Sequence, residues 1–265
     1  MTTIVTISDL QTGSNLGIGP EQMDIKEGDR SIRPNKAQAA LLKAYNAVVK
    51  AWGRPDILVA NGDLVEGQQP RNRGVEVWAT NLHDQVDAAA KLLTRWHAKR
   101  LYVVRGTPYH VMLDGVPVEE QLAKDVGAIP IDGHHSVYEL FLDVHGCTFH
   151  FAHHIESTKV MMYRATAITR ELALAMLNAS HKYPVNVLVR SHVQYYWHTQ
   201  SSGHDGFITP GWQLQTPYMM KLSPSGMVPD IGALRFRVDA DGTFHFDAAQ
   251  DLMIFPTPKP TLIRV

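Results

Sequence analysis

The sequence predicts an α/β fold built on a parallel sheet. Short apolar, β-branched runs alternate with segments of helical periodicity through the first half of the chain. A second set of short strands, separated by turn residues, fills much of the chain after residue 137. Polar residues collect just beyond the strand ends, where open α/β sheets hold their ligands.

Thr3 to Ser8 (TIVTIS) reads as a buried strand. Residues 11–35 are polar and contain Gly13, Gly17, Gly19 and Gly28, the pattern of a long loop. Residues 36–52 place Ala37, Ala40, Leu41, Ala44, Val48 and Ala51 at helical spacing, with Asn35 and Gln38 as a capping pair. Ile57 to Ala60 is the next strand. Residues 81–98 carry Leu82, Val86, Ala89, Leu93 and Trp96 on one helical face. Leu101 to Arg105 (LYVVR) is the third strand, and 118–126 a short helix.

Residues 137–143 and 147–152 form a hairpin around His145-Gly146. A helix over 164–179 has Ile168, Leu172, Ala175 and Ala179 in phase. Strands follow at 185–190, 193–199, 206–209, 233–239 and 243–248, the last two joined by the turn Asp241-Gly242. Trp212, Met219 and Met220 read as core. The Pro-rich stretch 255–260 suits a surface path. No linker interrupts the pattern, so residues 1–265 read as a single domain.

Composition narrows the function. Lys plus Arg is 25 and Asp plus Glu 26, a formal charge of -1, which excludes an all-over basic nucleic-acid binder but allows a local basic groove. At 45% apolar and 19% charged, the chain is not a disordered segment. No run of about 18 apolar residues marks a membrane span, and the N-terminus has no signal-peptide pattern. Cys147 is the single cysteine, so cysteine-based zinc or iron–sulfur sites are excluded. A lone cysteine fits a reducing compartment, and a cytoplasmic location is expected. Any metal would be held by oxygen and nitrogen, and the chain has 14 histidines to choose from. Neither a G-x-S-x-G elbow nor a G-x-x-x-x-G-K-[ST] loop is present, which argues against a serine hydrolase or a P-loop enzyme.

The chemistry gathers after the strands. Asp9-Leu10-Gln11 follows the first, Gly62-Asp63-Leu64-Val65-Glu66-Gly67 the second, and Gly106-Thr107-Pro108-Tyr109-His110 the third. His153-His154 follows the strand at 147–152, and Ser191-His192-Val193-Gln194 the strand at 185–190. One Asp after a strand is commonly a cap, and one His a surface residue. Five strand ends bearing metal-ligand types point to one polar rim. Carboxylate and imidazole without thiolate suit Mn, Fe or Zn.

In this order the motifs resemble the calcineurin-like metallophosphoesterase superfamily, whose pattern runs D-x-H, G-D, G-N-H-(D/E), a later His and G-H-x-H. The resemblance spans about residues 3–200, and the variants RGTPYH, HFAHHIE and RSHVQYYWH look closest to phage- and prophage-type members of unknown substrate. It implies a two-sheet β-sandwich flanked by helices, a four-layer αββα arrangement. It also implies two divalent metals and metal-assisted hydrolysis of a phosphodiester, including nuclease activity. One metal set would be Asp63, Thr107, His153 and His192, suited to Mn, Fe or Zn. The other would be Asp9, Gln11, Asp63 and Gln194. There glutamine replaces both family histidines, and amide oxygen favours Mn or Mg.

Pro108 stands where the family has its leaving-group histidine, and His110 is the candidate to take over that role. Arg71, Arg73, Arg105, Arg164 and Arg190 lie near these motifs, with Arg71, Arg73 and Arg105 the candidates for substrate contact and the polar loop 68–73 the best placed of these segments. The expected partner is a phosphoester, with single-stranded or local nucleic acid among the options. Tyr195, Tyr196 and Trp197 could stack bases, although alternating strand residues also explain them. Gln11 and Gln194 support an alternative, a catalytically weakened member acting as a binding or assembly factor. No membrane partner is expected, and oligomeric state is not readable from the sequence.

Overall fold

Two β-sheets stack face to face, and helices cover both outer faces. The computed structural model describes residues 1–26, 28–70, 73–113, 115–156, 160–223 and 228–249. The six-stranded sheet runs in the order Phe244–Ala249, Ala233–Val238, Thr2–Ile7, Ile57–Asn61, Arg100–Val104, Ser136–Val137. Its last four strands are parallel, in the register Ile4 to Ile57 and Ile57 to Arg100. The five-stranded sheet runs Trp197–Ser201, His204–Ile208, Val187–Arg190, Cys147–Ala152, Glu139–Val144.

Period-two alternation explains the layering. Ile4, Ile57 and Val59 point between the sheets and meet Phe149, Phe151, Phe207 and Phe236. Val5, Leu58 and Ala60 point outward, under Leu41 and Tyr45 of the helix Lys36–Trp52, Val86 and Leu92 of the helix Leu82–Leu93, and Trp96 just beyond it. On the opposite outer face, Ile168 and Leu172 of the helix Arg164–Leu177 cover Leu188 and Ile208. Each of the four phenylalanines between the sheets is 0% exposed, worth about 2 kcal/mol apiece. The resulting α-β-β-α stack is the fold class the motifs imply.

The helix Lys36–Trp52 has the expected bounds, and its capping box closes through both Asn35 and Gln38. The expected helix at 81–98 ends earlier. It runs Leu82–Leu93, tightens into a 3₁₀ turn at Thr94–Trp96, and stops at His97 in the left-handed region. Several expectations need correction. The long loop 11–35 contains a two-stranded ribbon, Met23–Ile25 with Arg30–Ile32. The strand expected from 193 begins only at Trp197, because Gln194 turns left-handed and Tyr196 N–H bonds the Asp230 carboxylate instead of a neighbouring strand. Two short helices, Pro108–Val111 and Pro217–Leu222, each start on a Pro after a Thr. Trp212 is core at 0% exposure, but Met219 is only half-buried and Met220 is 41% exposed. The stretch 255–260 lies outside the described residues. Among the described residues, no helix is long and apolar enough to cross a membrane.

Candidate metal centre

The parallel strands end on one rim, and their C-terminal turns interlock there. Asp9 N–H donates to Gly62 O at 2.9 Å and Gln11 N–H to Asp63 O at 3.1 Å, so the turns after the first two parallel strands are one unit. Ser191 N–H donates to His153 O at 2.9 Å, joining two turns of the other sheet. Asn61 bridges the sheets, donating to Ala152 O (3.1 Å) and Ser191 Oγ (2.7 Å).

Asp9, Gln11, Asp63, His192 and Gln194 all have φ between 47° and 73°. Left-handed backbone is uncommon outside glycine, and strain of this kind concentrates at functional sites. Here it turns five side chains sharply from strand direction towards one point. Two glycines make room. A Cβ on Gly62, itself at φ 83°, would lie 2.5 Å from the His153 ring, and a Cβ on Gly106 would lie 2.2 Å from both Asp63 N and Oδ1. Gly106→Ala is therefore expected to displace Asp63, destabilising the fold by about 3 kcal/mol and weakening divalent-metal binding. Urea unfolding and metal titration of the variant check this.

The Asp63 carboxylate is the hub. Its Oδ1 accepts the Thr107 N–H at 2.6 Å. Around Oδ2 lie His153 Nε2 at 3.1 Å, Thr107 Oγ1 at 3.3 Å and His192 Nδ1 at 3.9 Å. One ligand atom each from Asp63, His153 and His192 lie within 4.8 Å of one another. Thr107 Oγ1 and His192 Nδ1 are 3.1 Å apart. Asp9 joins from the other side, its Oδ2 accepting the His192 N–H at 3.2 Å.

The Gln11 amide has two orientations. With Nε2 towards Asp63 Oδ2 it makes one long bond of 3.4 Å. Turned over, it donates to Val65 O at 3.1 Å and Glu66 Oε2 at 3.0 Å. The second gives two shorter bonds and presents the amide oxygen to Asp63. Gln194 donates to Gln213 Oε1 at 3.2 Å, which leaves its own Oε1 free, and Gln213 in turn donates to Glu66 Oε2 at 2.7 Å. Both glutamines thus spend their N–H groups on the surrounding shell.

This donor set fits a cation. His153 Nδ1 is held by Asn61 O at 2.7 Å, which makes Nε2 a bare acceptor in the neutral ring, facing a carboxylate oxygen. Asp9 Oδ1 and Gln194 Oε1 are buried without hydrogen-bond partners among the described residues. Asp9, Asp63, Glu66 and Glu119 are all buried, and among the described residues none pairs with Lys or Arg. Acceptors facing acceptors, and carboxylates buried without a cation, are costly unless a positive charge sits among them.

Titration follows from the same crowding. Burial alone would lower His153, but the Asp63 carboxylate reverses this and raises it to about 10. Burial would raise Asp63, yet the His153 and His110 imidazoles hold it well below the carboxylate range. Burial, with Asp63 adding repulsion against the opposing pull of His153, raises Asp9. It pushes both Glu66 and Glu119 up to about 7. His110 is raised despite burial, by Asp63 and Glu66.

The signs combine. Stabilisation from Glu66 and Glu119 is present below about 4.5 and is lost as pH rises through about 7. That from His153 is present below 6.5 and is lost as pH rises through about 10. Without metal, the protein is therefore expected to lose stability steadily from pH 5 to 9. With Mn present the loss is expected to flatten, because the ion takes the place of the proton on His153. Urea midpoints across this range, with chelator and with Mn, check both trends.

The other predicted residues are distributed differently. His110 lines the cleft, with Nδ1 2.7 Å from Glu66 O and Nε2 4.0 Å from Asp63 Oδ2. His154 is exposed and packs on the outer side of His192, with ring centroids 4.7 Å apart. Arg105 is corrected as a substrate contact: its guanidinium is committed to Ser136 Oγ (2.8 Å) and Glu120 (3.4 Å), and it does not line the cleft. Arg73 is exposed and also outside the cleft lining, and Arg71 lies outside the described residues. The arginine that does line the cleft is Arg164.

Sequence reasoning missed Glu119 and Gln85. Glu119 accepts Leu64 N–H (2.8 Å) and Gly106 N–H (2.7 Å), tying the Asp63 turn to the Thr107 turn. Gln85 accepts Glu66 and Gly67 N–H and donates to Gly67 O and Ala79 O. A polar residue on the apolar face of a helix was the available signal for each.

No protein-family model and no curated protein sequence matches the chain. Solved structures do. A zinc-complexed Vps29 from Entamoeba histolytica is 12% identical at a TM-score of 0.45, covering 93% of this chain and 98% of the other. A structure described as a novel archaeal phosphodiesterase is 10% identical at a TM-score of 0.47, covering 93% and 99%. A predicted phosphoesterase from Streptococcus pneumoniae is 12% identical at 0.41, covering 93% and 88%. At these levels of similarity, activity has to be argued from the site itself.

Proposed function

We propose that this chain is a metal-dependent hydrolase of phosphoesters, acting on a phosphodiester. One observation carries the reading: Asp63 Oδ2 lies beside His153 Nε2, Thr107 Oγ1 and His192 Nδ1, and on the same rim Asp9 Oδ1, His153 Nε2 and Gln194 Oε1 are buried without a hydrogen-bond partner among the described residues. Asp63, Thr107, His153 and His192 would hold one divalent cation, Mn, Fe or Zn. Asp9, Gln11, Asp63 and Gln194 would hold a second through oxygen, which suits Mn or Mg. Bound there, such cations polarise a phosphoester and lower the pKa of water.

The chain's own groups supply the rest. Asn61 O fixes the His153 tautomer so that Nε2 faces the site. Glu66 positions Gln11 and Gln213, and through Gln213 also Gln194. His110 is tethered at Nδ1, so its Nε2 carries the exchangeable proton, with a pKa raised by Asp63 and Glu66 against burial. A histidine that lines the cleft with its exchangeable proton on Nε2 is suited to protonate a leaving-group oxygen.

Gln11 and Gln194 favour a second reading, a binding or assembly factor with a weakened second metal site. Hydrolysis of bis-p-nitrophenyl phosphate and of single-stranded DNA with Mn, Mg, Ni or Zn separates the two. The hydrolase reading expects metal-dependent turnover that His192→Ala removes. Turnover absent with every metal, or unchanged in that variant, leaves the binding role.

A further inference from the structure

The cleft beside the metal centre has a volume of about 290 Å³ and two unlike walls. One is the polar rim with Asp63, His110 and His192. The other is apolar, formed by Tyr195, Tyr218, Met219, Leu222 and Val228. The helix Pro217–Leu222 reads PYMMKL, yet none of its residues is buried. Tyr218 is 63% exposed at its surface. A helix carrying Tyr, two Met and Leu without burying any of them leaves apolar surface for a ligand to cover. This wall runs directly into the metal centre, so what covers it is joined to what reacts there.

Charge narrows the ligand. Among the described residues, Arg164 is the one Arg or Lys lining the cleft, 8% exposed. Its guanidinium carbon lies 4.4 Å over the Tyr195 ring, and Nη2 donates to Val228 O at 3.2 Å. A nucleic-acid strand is tracked by a row of basic groups with aromatic platforms between them. One buried arginine is not such a row.

We infer that the apolar wall is a subsite for a single aromatic or nucleobase ring on a small phosphodiester, seated against Met219 and Tyr218. Thioether and aromatic contacts both favour a flat ring there. The inference rests on the phosphoester reading only for which end of the ligand faces the metals.

Binding of non-hydrolysable probes keeps the two readings apart. In calorimetry with the Mn-loaded full chain, phenylphosphonate is expected to bind about tenfold tighter than methylphosphonate. Met219→Ser and Tyr218→Ser are each expected to shrink that ratio severalfold, and Met220→Ser, outside the cleft lining, to leave it unchanged. Equal affinities for the two phosphonates, or a ratio untouched by the Met219 and Tyr218 changes, overturn the ring subsite. So does oligothymidylate binding tighter than phenylphosphonate with a steep salt dependence. Ring preference without hydrolysis of any ester leaves the subsite standing and removes the hydrolase reading. Metal-dependent ester hydrolysis together with equal affinities for the two phosphonates does the reverse.

Discussion

Asp63→Asn is expected to lower phosphodiester hydrolysis by on the order of 1,000-fold, about 4 kcal/mol of transition-state stabilisation. The substitution changes almost no volume, so its effect is electronic. Asp63 Oδ2 is the common neighbour of His153, Thr107 and His192, and Asp63 belongs to both proposed cation sets. An amide brings no charge, and its N–H₂ group would occupy a position where an acceptor is required. The loss is expected in metal affinity as well as in kcat. The asparagine variant should also drop the His153 pKa from about 10 towards acid, because burial would then act without the opposing carboxylate. NMR titration of the His153 ring together with kcat/KM in saturating Mn checks both effects.

Glu119→Ala is expected to have the largest effect on stability, about 4 kcal/mol. Glu119 is 0% exposed, and each carboxylate oxygen accepts one backbone N–H, from Leu64 and from Gly106. Truncation would strand two buried donors, at about 1–3 kcal/mol each, and leave a cavity besides. For a chain of this size that corresponds to a fall in Tm of roughly 10 °C. Glu119→Gln keeps one acceptor and is expected to lose about half as much. Because Leu64 adjoins Asp63 and Gly106 adjoins Thr107, the alanine variant should also bind metal more weakly, although Glu119 is not itself a proposed ligand.

What the sequence made legible was whatever is encoded locally. The helix Lys36–Trp52 was readable because its cap and its apolar spacing both lie within one stretch of chain. The five strand ends were readable because parallel strands force their following residues to one edge. Residues acting across long sequence separations were hidden. Glu119 reaches Leu64 across 55 positions, and Gln213 reaches Glu66 across 147. Arg105 misled for the converse reason: it adjoins the Gly106-Thr107 motif in sequence, but as the strand's direction alternates its side chain turns away to Ser136 and Glu120. Met219 read as core because apolar residues normally are, whereas here the surface it would bury against is a cleft.

Whether this rim holds metal is read from the anomalous scattering of manganese in crystals of the full chain. A peak is expected bonded to Asp63, His153 and His192, with a second, weaker one against Asp9, Gln11 and Gln194. A map without a peak at Asp63, and with His153 still hydrogen-bonded to that carboxylate in the presence of manganese, would contradict it.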